Sequence, residues 1–366
     1  MKKYTFIFLL LVVISLLAGC GYKDIDNRFF VVTMGIDKPE NEEKKYKVHL
    51  KLAIPSAEIQ VGESEYIIES EESNSISEAV RIIKARSDRE IDFAHMKVFL
   101  IGEEMVKQPI QENLDWLLRR RDIQKISWIG IGKPSALEVM KITPEIERIP
   151  SNSLFLTLSL KGSETPYTIP KYLFEFHREM KTEGQSAVLP IIEKREEKMF
   201  QVQTATVFDQ EKGVLTLNAE QTKLFNEIDT GFEKVDIRVE EEGEDFFILA
   251  AEVFKGTYAI HDEKGKKPYI DFKVDVEGII EESSMQIQNE KLKEYGKKAE
   301  KQLKEEIEQF LIKLRDLNLD PFGFGLQYRA TRFNNKTELE RWNEIYPEID
   351  FNVITNVKVK GTGVIE

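Results

Sequence analysis

Apolar and polar residues alternate from Lys45 onward, with Tyr46, Val48, Leu50, Leu52 and Ile54 interleaved with Lys45, Lys47, His49 and Lys51. This period of two predicts a strand with one buried and one wet face, ended by Pro55. A strand from Phe29 to Ile36 precedes it. Further along, Ser75 and Glu78 have capping-box spacing ahead of a helix whose apolar face is Ile76, Val80 and Ile83. Met96–Ile101 and Ile126–Ile131 read as short strands. Glu103 and Glu104 fit the first turn of a helix whose stripe is Ile110, Leu114, Leu117 and Leu118. Pro134 suits the start of a helix running to about Ile142. Residues 143–198 are irregular, with five prolines and a short helix near 170–180.

From Val202 the pattern becomes strand-rich. A hairpin is expected over 202–217, a helix capped by Asn218, alternating strands at 235–239 and 270–276, and between them a long strand or a bulged pair at 246–260. Leu292, Tyr295, Ala299, Leu303, Ile307, Phe310, Leu311 and Leu314 then hold a 3.6-residue period, the longest helix of the chain. Glu294/Lys298 and Glu300/Lys304 form i,i+4 pairs on its wet side. Gly296 weakens it by about 1 kcal/mol, and Pro321 stops it. Phe351, Val353, Val357 and Val359 mark a last strand. The class expected is α+β, with a mixed α/β N-terminal part and a C-terminal antiparallel sheet covered by the long helix. The divisions expected are a leader at 1–19, a tether at 20–28, an α/β domain at 29–142, a middle segment or small second domain at 143–198, and an α+β domain at 199–366.

The leader changes the picture most. Lys2 and Lys3 precede an apolar run from Tyr4 to Ala18, too short to span a bilayer, and the run ends in Leu17-Ala18-Gly19-Cys20. Cys20 is the one cysteine in the chain, so an intrachain disulfide is excluded. The tetrad resembles a bacterial lipobox, which implies diacylglyceryl transfer to the Cys20 sulfur, cleavage before it and a lipid anchor. The formal charge of −13 falls to −15 without Lys2 and Lys3. Such a body repels nucleic acid and anionic headgroups.

Several segments together resemble a known family. They are the lipobox, Val31-Val32-Thr33-Met34-Gly35-Ile36-Asp37, Phe93-Ala94-His95-Met96-Lys97-Val98-Phe99-Leu100-Ile101-Gly102-Glu103-Glu104, Asp320-Pro321-Phe322-Gly323-Phe324-Gly325, Arg341-Trp342, Tyr346-Pro347 and Gly361-Thr362-Gly363. In this order they are similar to the Ger(x)C family, the lipoprotein C subunits of spore nutrient germinant receptors. The resemblance covers nearly the whole chain. It implies a non-catalytic protein on the outer face of the spore inner membrane, working with integral-membrane A and B subunits, without a cofactor. Gly21-Tyr22 departs from the tryptophan often found after the lipidated cysteine, and Gly361 follows Lys360 where the family's basic residue usually precedes the Thr-Gly pair.

Other candidate chemistry is thin. Asp92 and His95 have the spacing of an acid–base pair, with no nucleophile signposted, and a structural histidine is the expectation. His49, His95, His177 and His261 lack ligand spacing for zinc. Gly130-Ile131-Gly132-Lys133-Pro134-Ser135 lacks the glycine spacing of a phosphate loop. Arg119-Arg120-Arg121 reads as a helix-end cap, and Glu240–Asp245 as a solvated turn rather than a calcium loop. The Phe322–Gly325 loop is expected to lock the long helix onto the sheet, with a subunit contact as its sharper reading. Cys20 is the site assigned, as a lipidation site, and no catalytic or metal residue is assigned. The alternative function is a solute-binding lipoprotein of a nutrient importer.

Overall fold

The computed structural model describes residues 28–54, 66–144, 151–159, 165–231, 235–240, 243, 245–332 and 335–362, together with Tyr4. Cys20, the rest of the leader and tether, part of the Glu240–Asp245 turn and Gly363 lie outside the described residues.

The first sheet runs β3-β2-β1-β5-β6-β7-β8-β9 with β4 paired to β1. Its strands are β1 (Arg28–Asp37), β2 (Tyr46–Ala53), β3 (Tyr66–Ser73), β4 (Glu90–Asp92), β5 (Val98–Gly102), β6 (Trp128–Lys133), β7 (Val188–Glu196), β8 (Met199–Phe208) and β9 (Gly213–Leu217). The central strands β1, β5, β6 and β7 are parallel, and the flanks are antiparallel hairpins. Val98–Gly102 is buried throughout, which is how a strand covered on both faces reads: as an unbroken apolar run. Helices α1 (Ile76–Arg86), α2 (Gln111–Arg119) and α5 (Leu173–Lys181) cover one face. Helices α3 (Ala136–Lys141) and α4 (Asn152–Leu158) cover the other.

That second layer corrects the wet face expected for β2. His49 and Lys51 are fully buried, with His49 Nδ1 2.7 Å from Ser70 Oγ and Lys51 Nζ donating to Met140 O at 2.8 Å. The lysine also lies 4.1 Å from the Tyr66 ring centroid. Alternation marks two chemically different faces but does not say what covers the polar one. Two local expectations also change. The Ser75 side chain makes no capping bond to α1, and Glu78 pairs with Ser73 instead. Glu103 and Glu104 sit in a turn before α2 rather than in its first helical turn.

The second sheet has the order β10 (Val235–Glu240), β11 (Phe246–His261), β12 (Tyr269–Ser283), β13 (Asp350–Val359). Between the sheets lies α6 (Ala219–Thr230), capped by Asn218, whose Oδ1 accepts from Gln221 N at 2.8 Å. The long helix α7 (Leu292–Asp316) covers the sheet with the predicted stripe, followed by α8 (Phe324–Ala330) and α9 (Asn335–Ile345). The α+β class therefore holds. Within it, β10 to β12 are antiparallel, while β13 is parallel to β12 because the chain returns through the helices between them. Glu300 is turned inward, not paired on the wet side: its carboxylate accepts Val357 N at 3.0 Å.

Candidate functional site

The motif residues gather into two places. The first lies where β1, β5 and α3 meet. Asp37, at the end of β1, accepts from Ala136 N at 2.8 Å and Leu137 N at 2.9 Å. The carboxylate thus occupies the N-terminus of α3, where the segment Gly130–Ser135 would have to present its amides to a phosphate. His49 Nε2 is 3.2 Å from Asp37 Oδ2, close enough for attraction but not aligned as a hydrogen bond. Two glycines make the close approach possible. A Cβ on Gly102 would fall 1.9 Å from Asp37 Oδ1, and one on Gly35 would fall 2.6 Å from Met140 Sδ.

The second place is the junction between the two sheets, built by Asp320–Gly325, Arg341-Trp342 and Tyr346. Asp320 is buried, and its two carboxylate oxygens accept from Phe324 N at 2.9 Å and Gly325 N at 2.7 Å, capping α8. Its backbone reaches the first domain: Asp320 N donates to Ser186 Oγ at 3.0 Å, and Ser186 N donates to Asp320 O at 2.8 Å. Leu326 N donates to Gly184 O at 2.9 Å, and Arg329 Nη1 donates to Glu183 O at 2.8 Å. Burial pushes Asp320 up to about 7, against the lowering effect of the Gly325, Phe324 and Gly323 amides.

Aromatic rings fill the space around this loop. Phe322 and Phe324 pack on Phe272, and Trp342 lies between Tyr328 and Tyr346. The Tyr346 hydroxyl donates to Leu319 O at 2.6 Å, fixing the end of α7. Arg341 donates two bonds to Asp262, at 2.9 and 3.2 Å, and Tyr328 donates a third at 2.7 Å. The Arg341 bond, followed by the opposing effect of burial, leaves the Asp262 carboxyl below its ordinary range. A cavity of about 370 Å³ opens beside the junction, lined in part by Gln185, Ser186, Asp209, Asp320 and Trp342. The oxygens of Asp37 and Asp320 are taken by backbone amides, so the arrangement is suited to holding domains and presenting a surface.

The remaining sequence candidates are dispersed. His95 is exposed and packs on Phe30 at 4.6 Å, while Asp92 pairs with Arg28, so the two do not form an acid–base pair. Arg120 pairs with Asp122 and lies over Phe93 and Trp116. Among the described residues no three His, Cys, Asp or Glu side chains are set to hold a metal. The motif order singled out Asp320–Gly325, Arg341-Trp342 and Tyr346 in the sequence, but not that they form a junction. What it missed was Gly184–Ser186, the acceptor segment on the first domain, which sits in the stretch that read as irregular.

Comparison with known proteins decides the identity. Residues 21–194 match the spore germination protein N-terminal domain, and residues 203–363 match the spore germination B3/GerAC-like C-terminal domain. The chain belongs to the Ger(x)C family. This Ger(x)C chain is similar to Spore germination protein KC of Bacillus subtilis (strain 168), 24% identical over 99% of this chain and 96% of that one. It is also 24% identical to Spore germination protein GerQC of Bacillus cereus, over 83% of this chain and 85% of that one. The crystal structure of the GerBC protein has the same fold, with a TM-score of 0.59 at 17% identity, covering 89% of this chain and 97% of that chain. The Ger(x)C chain is a germinant-receptor subunit of the C type. Among the described residues no helix is long and apolar enough to cross a membrane.

Proposed function

We propose that this subunit is non-catalytic and is held to the outer face of the spore inner membrane by a diacylglyceryl thioether on Cys20. There it assembles with the integral-membrane A and B subunits and is needed for the nutrient response. The observation that carries this reading is the tetrad Leu17-Ala18-Gly19-Cys20, standing immediately before the start of the N-terminal family match at residue 21. Residues 21–27 separate the cysteine from β1, a length that spans at most about 25 Å when fully extended. Anchoring therefore confines the acidic body to a thin layer over the membrane and raises its effective concentration beside membrane partners.

The test is Cys20→Ala. The variant is expected to keep its fold, to retain the leader, to leave the membrane fraction and to lose nutrient germination. Mass spectrometry of the wild-type N-terminal peptide should show the lipid mass on Cys20. A free thiol there, or a Cys20→Ala protein that still sediments with membranes and supports germination, overturns the reading.

A further inference from the structure

The parallel strands β1, β5, β6 and β7 all start at one edge of the first sheet, and an apolar patch is exposed there. Arg28–Phe30 of β1 pair in register with Glu90–Asp92 of β4. The loop after β4 is tied to the loop before β6, where Gln124 Nε2 donates to Ala94 O at 2.7 Å. The loop before β6 is tied in turn to the start of α5, since Phe174 N donates to Lys125 O at 3.1 Å. The end of α2 closes the row, with Lys125 Nζ donating to Arg120 O at 2.7 Å. Ile126 is 62% exposed and Phe174 38%. Phe174 continues an aromatic stack, its ring centroid 5.8 Å from that of Tyr172, which lies 3.9 Å from that of Trp128. Aliphatic and aromatic side chains flanked by basic ones suit the interface between a bilayer and water.

Local charge here runs against that of the molecule. Between residues 119 and 126, Arg119, Arg120, Arg121 and Lys125 stand against Asp122, in a chain of formal charge −13. The acids of this edge are already matched. Asp92 pairs with Arg28, Glu90 with Lys84 at 2.8 Å and Asp122 with Arg120, while Asp88 is followed by Arg89. Arg121 is exposed, and the Arg119 side chain is 83% exposed, with Asp115 at 3.6 Å. An anionic surface therefore repels the body as a whole and attracts this edge, which sets an orientation.

The occupant follows from where the chain leaves the fold. Residues 21–27 join Arg28 at this same edge, and they span at most about 25 Å. The other end of β1, a strand of 10 residues, is about 30 Å further off. We propose that this edge docks on the anionic bilayer surface, with Ile126 and Phe174 as its apolar contacts and Arg119 and Arg121 as its headgroup contacts. The inference rests on the Cys20 anchor proposed above and adds an orientation to it, since a tether alone leaves the body free to tumble.

The experiment places the full-length lipidated chain in vesicles of phosphatidylcholine with about one third phosphatidylglycerol, part of the lipid carrying bromine on its acyl chains as a quencher. With Cys20 in a thioether, Ile126→Cys supplies the one free thiol for a bimane label. Lys38→Cys, exposed just beyond the other end of β1, is the comparison. The label at 126 is expected to be quenched at least threefold more than the label at 38, and the difference should fall by half or more in an added Arg119→Glu/Arg121→Glu background. Equal quenching at the two positions, or a difference unchanged by the charge reversal, overturns the docking. If near-UV circular dichroism shows that Ile126→Cys is not folded, Phe174→Cys decides by the same comparison. An unsubstituted chain that takes the label, or that does not float with the vesicles, refutes the anchor and the docking together. A chain that floats with both labels equally quenched refutes the docking alone.

Discussion

Asp320 concentrates the logic of the junction in one side chain. It caps α8 with both oxygens and, through its own backbone, is bonded to Ser186 of the other sheet's domain. Asp320→Ala leaves two buried amides without acceptors, a loss of about 1–3 kcal/mol. Urea denaturation should show this as a lower midpoint. A change below about 0.5 kcal/mol would mean that water replaces the carboxylate and that the cap is not structural. Asp320 and Phe322–Gly325 were visible in the sequence as a motif, and the expected role of locking helix to sheet matches the packing of Phe322 and Phe324. The bonds to Gly184 and Ser186 were not visible, because nothing in local patterning records which distant backbone a loop will meet.

Among the elements, α7 shows how a packed surface overrides propensity. By propensity alone Gly296 weakens the helix, and Gly296→Ala should stabilise it by about 1 kcal/mol. In the structure a Cβ at this position would fall 2.8 Å from Val357 O, a backbone atom of β13 that cannot rotate away. The glycine lets helix and edge strand approach, and Glu300, one turn further along, takes the Val357 amide. Gly296→Ala is therefore expected to destabilise by about 1–3 kcal/mol, the cost of overpacking, measured as a fall in the denaturation midpoint. A gain in stability would show that α7 can shift outward freely. The same distinction explains β2. Its period of two was plain, yet Lys51 and His49 are buried, and Lys51 bonds to α3, which comes from residues far along the chain. The strand β7 was missed for a related reason: Pro190 interrupts its pattern, and its apolar run resembles the irregular segment around it.

The whole molecule carries an unusual set of buried acids. Glu227 is pushed up to about 8 and Asp320 up to about 7, with burial the largest cause for each, and burial also raises Glu179. Each binds its proton more tightly folded than unfolded. Their contribution is complete below the unfolded carboxyl range and is lost as pH rises through the folded values. The half-buried carboxyls that are lowered by lysine partners, such as Glu138 and Glu277, act in the opposite sense only below about pH 4.5. His177, lowered chiefly by burial, opposes the trend near its own ordinary range. The net expectation is a chain more stable at pH 5.5 than at pH 8. Chemical denaturation at both values measures it, and the difference should shrink in a Glu227→Gln/Asp320→Asn double variant. A midpoint that rises from pH 5.5 to 8 would mean that these acids are ionised and paired in the native state.

The class, most of the strands, the long helix with its buried stripe and the family were all legible in the residue order, because periodicity and motif order are local properties. Packing between distant segments is what covers the polar face of β2, makes Gly296 a contact, lets Asp320 join two domains and buries Glu227. Those facts depend on which distant segments come within a few ångströms of one another. Burial, and with it the strength of every charge and hydrogen bond, is set by that encounter and not by the order of residues along the chain.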